Sequence, residues 1–369
     1  MNLTIAKDEL IIGLQAVQNI VGSRTTLPIL SNVLIRAEGG KLELTATDLD
    51  VSVSCSVEAQ VKKPGATTIP VKKFFGIVRE LGTQEIDLAT DEKHVTSLSA
   101  GASFYKIRGL AAEEFPPINQ LKDDRKVVLP QEKIRGMMKK TSFAISTDES
   151  RYVLNGIFFS MKDNKLTTVA TDGRRLSLVD EEVDIPEKAQ GEVIIPAKAI
   201  NELNRLLTDV GDVELRFGEN QASMLLRPEK GPVVRITTKL IEGNYPNYRQ
   251  VIPSEVKERV TLSREELLHA LKRAEIMTSD KANSVKMAFT KNNLSITANS
   301  PDVGEARESI AINYKGADVT VAFNPGYLIE PLNALPDEEV YFELIDELSP
   351  GVLRINGPFL YVVMPMRLS

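Results

Sequence analysis

KLELTATD (41–48), KLTTVATD (165–172) and NLSITANS (293–300) are one phrase written three times. KLELTATD and NLSITANS alternate apolar and polar residues over most of their length, the period of a strand with one buried face, and all three phrases read as strands. Each also sets Leu four places before Ala, at Ala46, Ala170 and Ala298, spaced 124 and 128 apart. Two further phrases flank it in every copy. Upstream stand MNLTIAKDELIIGLQAVQNIV (1–21), KVVLPQEKIRGMMKKTSFAIS (126–146) and RVTLSREELLHALKRAEIMTS (259–279), which align on Leu3, Leu129 and Leu262. Downstream stand TTIPVKKFFGIVREL (67–81), VIIPAKAINELNRLL (193–207) and VAFNPGYLIEPLNAL (321–335), with Pro70, Pro196 and Asn324 spaced 126 and 128 apart.

Three phrases recurring in one order at one interval mean duplication, and the interval is a whole domain rather than a solenoid repeat of ~20–50 residues. A chain of 369 residues is also too long for a single core. The expected division is 1–123, 124–255 and 256–369, cut in the polar stretches LKDDRK and PSEVKE. Within each copy a strand leads into a helix with apolar residues three and four apart, such as Leu10, Leu14 and Val17. Alternating strands follow, with turns at Asp163-Asn164 and Gly218-Asn220. The predicted unit is β-α-β-β-β run twice, an α+β fold of three similar domains, or six half-domains, per chain. Such repetition points to a ring.

Composition narrows the function. Net charge is −6, which argues against coating nucleic acid by bulk charge, and aromatics are 5% with no Trp, too few for a single-strand stacking platform. No apolar run reaches the ~20 residues of a membrane span, so the expectation is a cytoplasmic protein without a membrane partner. Cys55 is the sole cysteine, and with His94 and His269 it cannot build a zinc cluster. Phosphate-loop, HExxH, GxSxG and dinucleotide motifs are absent, so neither an enzyme nor a bound cofactor is expected. His94 reads as a hairpin residue, His269 as an exposed helical one and Cys55 as a strand residue.

Basic residues gather on the predicted helices: Lys72, Lys73 and Arg79; Lys133, Arg135, Lys139 and Lys140; Lys198 and Arg205; Lys272 and Arg273. One helix at a time, these are solvated faces. If corresponding helices point the same way they sum to one positive surface, and phosphates are its natural partner.

TLPILSN (26–32), TATDLD (45–50), PGATTIP (64–70), RYVLNG (151–156), VATDGRRL (169–176), EGNYPNYRQVIP (242–253) and YVVMPMRL (361–368) resemble the bacterial DNA sliding clamp family, the beta subunit of DNA polymerase III. The resemblance runs along the whole chain. It implies a head-to-tail homodimeric ring, with helices lining the hole and sheets outside, that encircles double-stranded DNA without reading sequence. It further implies tethering of DNA polymerases, the clamp loader and repair proteins through a short-peptide pocket between domains 2 and 3. That pocket maps to Arg151, Leu154, Thr171, Gly173, Arg174, Arg175, Leu176, Pro246, Val251, Asn324, Tyr327, Val362, Val363, Met364, Pro365, Met366 and Arg367. Arg174 stands where many members have His, and Gln250 where a second Arg is familiar. DNA contact maps to Lys72, Lys73, Arg79, Lys139, Lys140, Lys198, Arg205, Lys272 and Arg273 and to Arg24 in GSRTTLP, with the acidic STDESR (146–151) on the opposite loop. The dimer seam maps to Tyr105 and Ile107 against Ile276 and Met277. Two other readings fit the repeats: an enzyme on duplicated α+β domains, and a repeat scaffold that forms no ring.

Overall fold

The computed structural model describes residues 1–22, 27–118, 121, 125–279 and 283–367; Arg24 lies outside them. The first copy runs β1 Asn2–Ala6, α1 Lys7–Val17, β2 Asn32–Glu38, β3 Lys41–Thr47, β4 Val51–Glu58, β5 Gln60–Lys63, β6 Gly65–Pro70, α2 Val71–Glu80, β7 Glu85–Thr90, β8 Val95–Ala100 and β9 Ser103–Arg108. The second runs β10 Lys126–Pro130, α3 Gln131–Thr141, β11 Gly156–Lys162, β12 Lys165–Thr171, β13 Arg175–Glu182, β14 Gly191–Pro196, α4 Ala197–Leu206, β15 Asp212–Phe217, β16 Gln221–Arg227 and β17 Val233–Lys239. The third runs β18 Glu258–Ser263, α5 Arg264–Glu275, β19 Val285–Thr290, β20 Asn293–Ser300, β21 Gly304–Ala311, β22 Val319–Phe323, α6 Pro325–Ala334, β23 Glu339–Leu344, β24 Gly351–Arg354 and β25 Phe359–Val363. Among the described residues only β5 has no counterpart in the other copies.

One detail of the sequence alignment needs correction. The strand-to-helix junctions superpose Ile5, not Leu3, on Leu129 and Leu262, because α1, α3 and α5 begin two residues after each of these. The same contact marks all three junctions. The first amide of each helix donates to Gln84 O, Gly211 O and Glu338 O at 2.8, 2.9 and 2.9 Å. The long side chain there follows it: Lys7 reaches Leu81 O, Gln131 reaches Asp212 O and Arg264 reaches Asp337 O. These contacts satisfy backbone groups that a helix start and a strand entry would otherwise leave unpaired.

The chain divides into two compact units. Unit 1 comprises 1–135, 184–190 and 198–241; unit 2 comprises 136–183, 191–197 and 242–369. Unit 1 holds a five-stranded sheet, β5-β1-β7-β8-β9, and an eight-stranded sheet, β10-β15-β16-β17-β4-β3-β2-β6. Unit 2 holds an eight-stranded sheet, β14-β11-β12-β13-β25-β24-β23-β18, and a four-stranded sheet, β21-β20-β19-β22. Within unit 1, α1 packs on α2 and on β4; within unit 2, α5 packs on α6. Their apolar faces, including Leu10, Leu14, Val17, Leu267 and Leu271, are buried. Cys55 faces inward on β4, and burial pushes its thiol pKa up to about 12.

Each eight-stranded sheet is two four-stranded halves joined at one antiparallel pair. In unit 1 the joint is β17 on β4, with Thr238 opposite Val51; in unit 2 it is β25 on β13, with Val363 opposite Arg175. Strand for strand, β9 is the counterpart of β17 and β25, and β21 the counterpart of β4 and β13. Those two strands end their own sheets with free edges.

Candidate functional site

The phrase VATD (169–172) ends β12 and folds into a tight turn. Thr171 Oγ1 donates to Arg175 O at 2.6 Å and accepts from Gly173 N at 3.1 Å; Asp172 Oδ1 accepts from the amides of Arg174 and Arg175 at 2.9 and 3.1 Å. Gly173 sits at φ +84°, where a side chain is strained, and a Cβ there would meet Arg151 Nη1 at 2.6 Å.

The turn delivers Arg175 inward, where it is 8% exposed. Its guanidinium donates to Asp172 Oδ2 at 3.0 Å, to Phe143 O at 2.7 Å and to Glu330. It also lies over the Tyr327 ring at 4.5 Å and the Phe143 ring at 5.7 Å. Burial works against this charge, but the carboxylates of Glu330 and Asp172 outweigh it and hold the Arg175 pKa above its usual value. Tyr361, fully buried, packs on Phe143 and donates from its hydroxyl to Tyr327 O at 2.6 Å. Burial raises its pKa, so it stays a donor.

Around this hub opens a cleft of about 490 Å³, lined by Phe143, Ile145, Ser146, Thr147, Asp148, Arg151, Asp172, Arg174, Arg175, Tyr327 and Glu330. Arg151 donates to Asp172 O at 3.3 Å. The last described residues finish the surroundings: Met364 N donates to Arg174 O at 2.9 Å and Met366 N to Ala322 O at 2.7 Å. Both methionine side chains stay more than 40% exposed. A stacked pair, Phe158 on Tyr245 at 4.9 Å, pins the segment carrying Pro246 and Val251 against β11.

Of the residues expected in a peptide pocket, Arg151, Arg174, Arg175 and Tyr327 line the cleft. Thr171 and Gly173 shape its turn, and Asn324 caps α6 by accepting from Gly326 N at 2.9 Å. Pro246, Val251, Met364, Met366 and Arg367 are exposed and Pro365 is half-buried. Leu154, Leu176, Val362 and Val363 are buried, so they support the site from below rather than offering free surface. Asp148, Asp172, Phe143 and Glu330 were missed, as were Ile145, Ser146 and Thr147. The signal available for Asp172 was the TATD/VATD echo itself, and Asp148 stands three residues before Arg151; Phe143 and Glu330 lie 32 and 155 residues from Arg175.

The basic helices divide by what each cation already holds. Lys72, Lys73, Arg79 and Lys139 are exposed, and Lys140 is half-buried. Lys198 pairs with Asp48, Arg273 with Glu308 at 2.6 Å, and Lys272 bonds Asn333 at 3.2 Å. Arg205 departs from the expectation of a free lining cation: it donates to Gln15 O at 3.0 Å and Ala16 O at 2.6 Å and pairs with Glu202, so its fork is spent on the end of α1. At the expected seam, Ile276 is 73% and Tyr105 39% exposed. Met277 is half-buried. Ile107 is buried in its own sheet, so what it offers at the β9 edge is backbone. Among the described residues no cluster of three or more His, Cys, Asp or Glu could hold a metal ion, and no helix is long and apolar enough to cross a membrane.

Models of the N-terminal, central and C-terminal domains of the DNA polymerase III beta subunit match residues 1–119, 128–247 and 249–367. The beta sliding clamp of Chlamydia muridarum is 35% identical over 368 residues, covering 100% of this chain and 99% of the relative. That of Escherichia coli K12 is 35% identical over 376 residues and covers all of both. The crystal structure of a sliding clamp from Bartonella birtlesii bound to griselimycin superposes with a TM-score of 0.94 at 35% identity, over 100% of each chain. With three domain models in order and relatives matched from end to end on the same α+β architecture, the chain belongs to the DNA polymerase III beta subunit family of bacterial sliding clamps.

Proposed function

We propose that two copies of this chain join head to tail into a ring that encircles duplex DNA and tethers DNA polymerases, the clamp loader and repair proteins through the unit 2 cleft. The observation that carries this reading is the pair of free edges. Two half-sheets, β1-β7-β8-β9 and β21-β20-β19-β22, are left over after the other four have joined, and they end on the counterparts of strands that pair elsewhere. Joining β9 of one chain to β21 of the next makes a third eight-stranded sheet and removes both exposed edges. The existing joints set the register, with Tyr105 opposite Ala306 and Ile107 opposite Gly304. In that register Tyr105 meets Ile276 as Tyr361 meets Phe143 in unit 2. Three domains at 1–123, 124–255 and 256–369 then repeat around the ring.

Lys72 and Lys198 are repeat counterparts, as are Lys139 and Lys272, and Lys140 and Arg273. Cations recurring at equivalent helix positions suit a lining that meets phosphates loosely, without base readout. Acidic net charge is compatible, since fields decay over ~8 Å at physiological salt. A polymerase held by the ring rebinds its primer end from a high effective concentration, which raises processivity with no new polymerase–DNA contact. The chain itself performs no chemistry in this role, and it acts in the cytoplasm.

The test is retention. After loading on circular DNA the protein stays bound through a salt wash, and linearising that DNA releases it. Equal retention on linear DNA with free ends contradicts topological linkage.

A further inference from the structure

In unit 1 the last turn of α4 closes the last turn of α1. Arg205 donates to Gln15 O and Ala16 O, carbonyls that an α-helix leaves without an internal partner. The repeat supplies both halves of that contact a second time. Counted from the strand–helix junctions, Arg79 on α2 occupies the position of Arg205, nine residues beyond Pro70 as Arg205 is beyond Pro196. Lys272 and Arg273 on α5 occupy the positions of Gln15 and Ala16. The ends of α1 and α5 agree beyond these residues: Val21 N donates to Gln18 O at 3.3 Å, and Thr278 N to Glu275 O at 3.0 Å.

Among the described residues Arg79 has no backbone acceptor. Its guanidinium meets Glu80 Oε1 at 2.9 Å and the Phe75 ring at 5.9 Å, and its side chain is 62% exposed. In α6 the same position is Asn333, which cannot fork two carbonyls and instead accepts from Lys272. The arginine therefore recurs on two of the three second helices, at positions 79 and 205, and among the described residues only Arg205 has backbone acceptors.

We infer that Arg79 is a seam residue: across the head-to-tail joint it donates to the carbonyl oxygens of Lys272 and Arg273 in a second copy of this chain, closing the end of α5 as Arg205 closes α1. This removes Arg79 from the DNA-lining set and gives the joint a polar lock beside the Tyr105–Ile276 contact. A planar fork matches two adjacent carbonyls where a lysine serves one. The inference rests on the ring reading of the previous section.

The experiment uses the full chain, with sedimentation across a nanomolar to micromolar series and hydrogen exchange of amides 272–278. Arg79→Ala should weaken the dimer at least ~10-fold and Arg79→Lys by less, while Lys41→Ala, which removes an exposed cation of β3, stays within about 2-fold. Exchange at 272–278 should slow on dimerisation in the parent and much less in Arg79→Ala. An unchanged melting midpoint at dilutions where the chain is monomeric shows that the variant folds. If Arg79→Ala dimerises as tightly as the parent while Tyr105→Asp disrupts the dimer, the seam stands and the role of Arg79 is overturned. A parent that is monomeric at micromolar concentration instead overturns the ring reading, and the lock with it.

Discussion

After KLELTATD the turn in unit 1 continues Leu49, Asp50, Val51; after KLTTVATD the turn in unit 2 continues Gly173, Arg174, Arg175. The backbones agree bond for bond. Thr47 Oγ1 donates to Val51 O at 3.2 Å as Thr171 does to Arg175 O, and Asp48 accepts from the amides of Asp50 and Val51 at 3.1 and 2.8 Å as Asp172 does from its own. Leu49 at φ +82° and Gly173 at φ +84° take the same left-handed bend. Even the neighbouring strand is matched, Lys239 N donating to Asp50 O at 3.0 Å and Met364 N to Arg174 O at 2.9 Å. The side chains diverge. In unit 1 Asp50 pairs with Lys239 at 2.9 Å and Asp48 with Lys198, beside a hollow of about 90 Å³; in unit 2 methionine replaces that lysine and arginine replaces Val51, beside a cleft of about 490 Å³. A duplicated frame supplied two candidate sites, and side-chain replacement made one a closed ionic surface and the other an open cleft with arginine and methionine on its walls.

The largest effect should come from Arg175→Met, which strips a buried charge from Asp172, Glu330 and Phe143 O at once. Unfolding in urea followed by circular dichroism should show a loss of about 3–5 kcal/mol; a loss under about 1 kcal/mol would mean that the turn holds without its arginine. Next is Met364→Lys, which writes the unit 1 residue into unit 2. Affinity for a polymerase-derived peptide, measured by titration calorimetry, should fall ~10-fold, equivalent to ~1.4 kcal/mol, with stability unchanged. Deleting 364–369 should cost at least as much affinity, and a truncated protein that keeps full affinity would place the partner site elsewhere.

Exchanging the bend residues is milder. Gly173→Leu should cost about 1–2 kcal/mol from the left-handed conformation alone. Leu49→Gly should gain about 0.5 kcal/mol, the relieved strain less the added freedom of the unfolded chain. The smallest effect is in the pH response of unit 1. Burial raises the Asp48 pKa, but Lys198 and the amides of Val51 and Asp50 outweigh it and hold it below the usual aspartate value. Its stabilisation is therefore complete above the unfolded pKa of about 4 and fades as pH falls through the lower folded value. The penalty of Asp48→Asn, under about 1 kcal/mol for a part-exposed pair, should shrink between about pH 5 and pH 2. A penalty that does not change with pH would mean that neither Lys198 nor the turn amides favour the charged carboxylate.

The threefold architecture was legible in the sequence because strand and helix periods recur with Ala46, Ala170 and Ala298. The slip of Leu3 against Ile5 arose because a strand of alternating residues looks alike after a shift of two. Arg151, Arg174, Arg175 and Tyr327 were legible by resemblance. Glu330 and Phe143 were not, since the contacts that bring them to Arg175 join segments separated by 155 and 32 residues and carry no local pattern. Nor could composition reveal that Arg205 is spent on backbone: an exposed lysine and a carbonyl-bound arginine read alike in a helical string.

The joint between β13 and β25 also bears on how the molecule is made. Arg175 cannot find Val363 until nearly the whole chain has been synthesised, whereas the joint between β4 and β17 needs nothing beyond residue 239. During translation unit 1 can therefore close its large sheet while β13 waits with one edge bare, and unit 2 closes late through contacts distant in sequence, the slow kind. A ribosome stalled between residues 240 and 360 would display a finished first unit and an unguarded strand, the stretch of synthesis in which this protein most needs a chaperone.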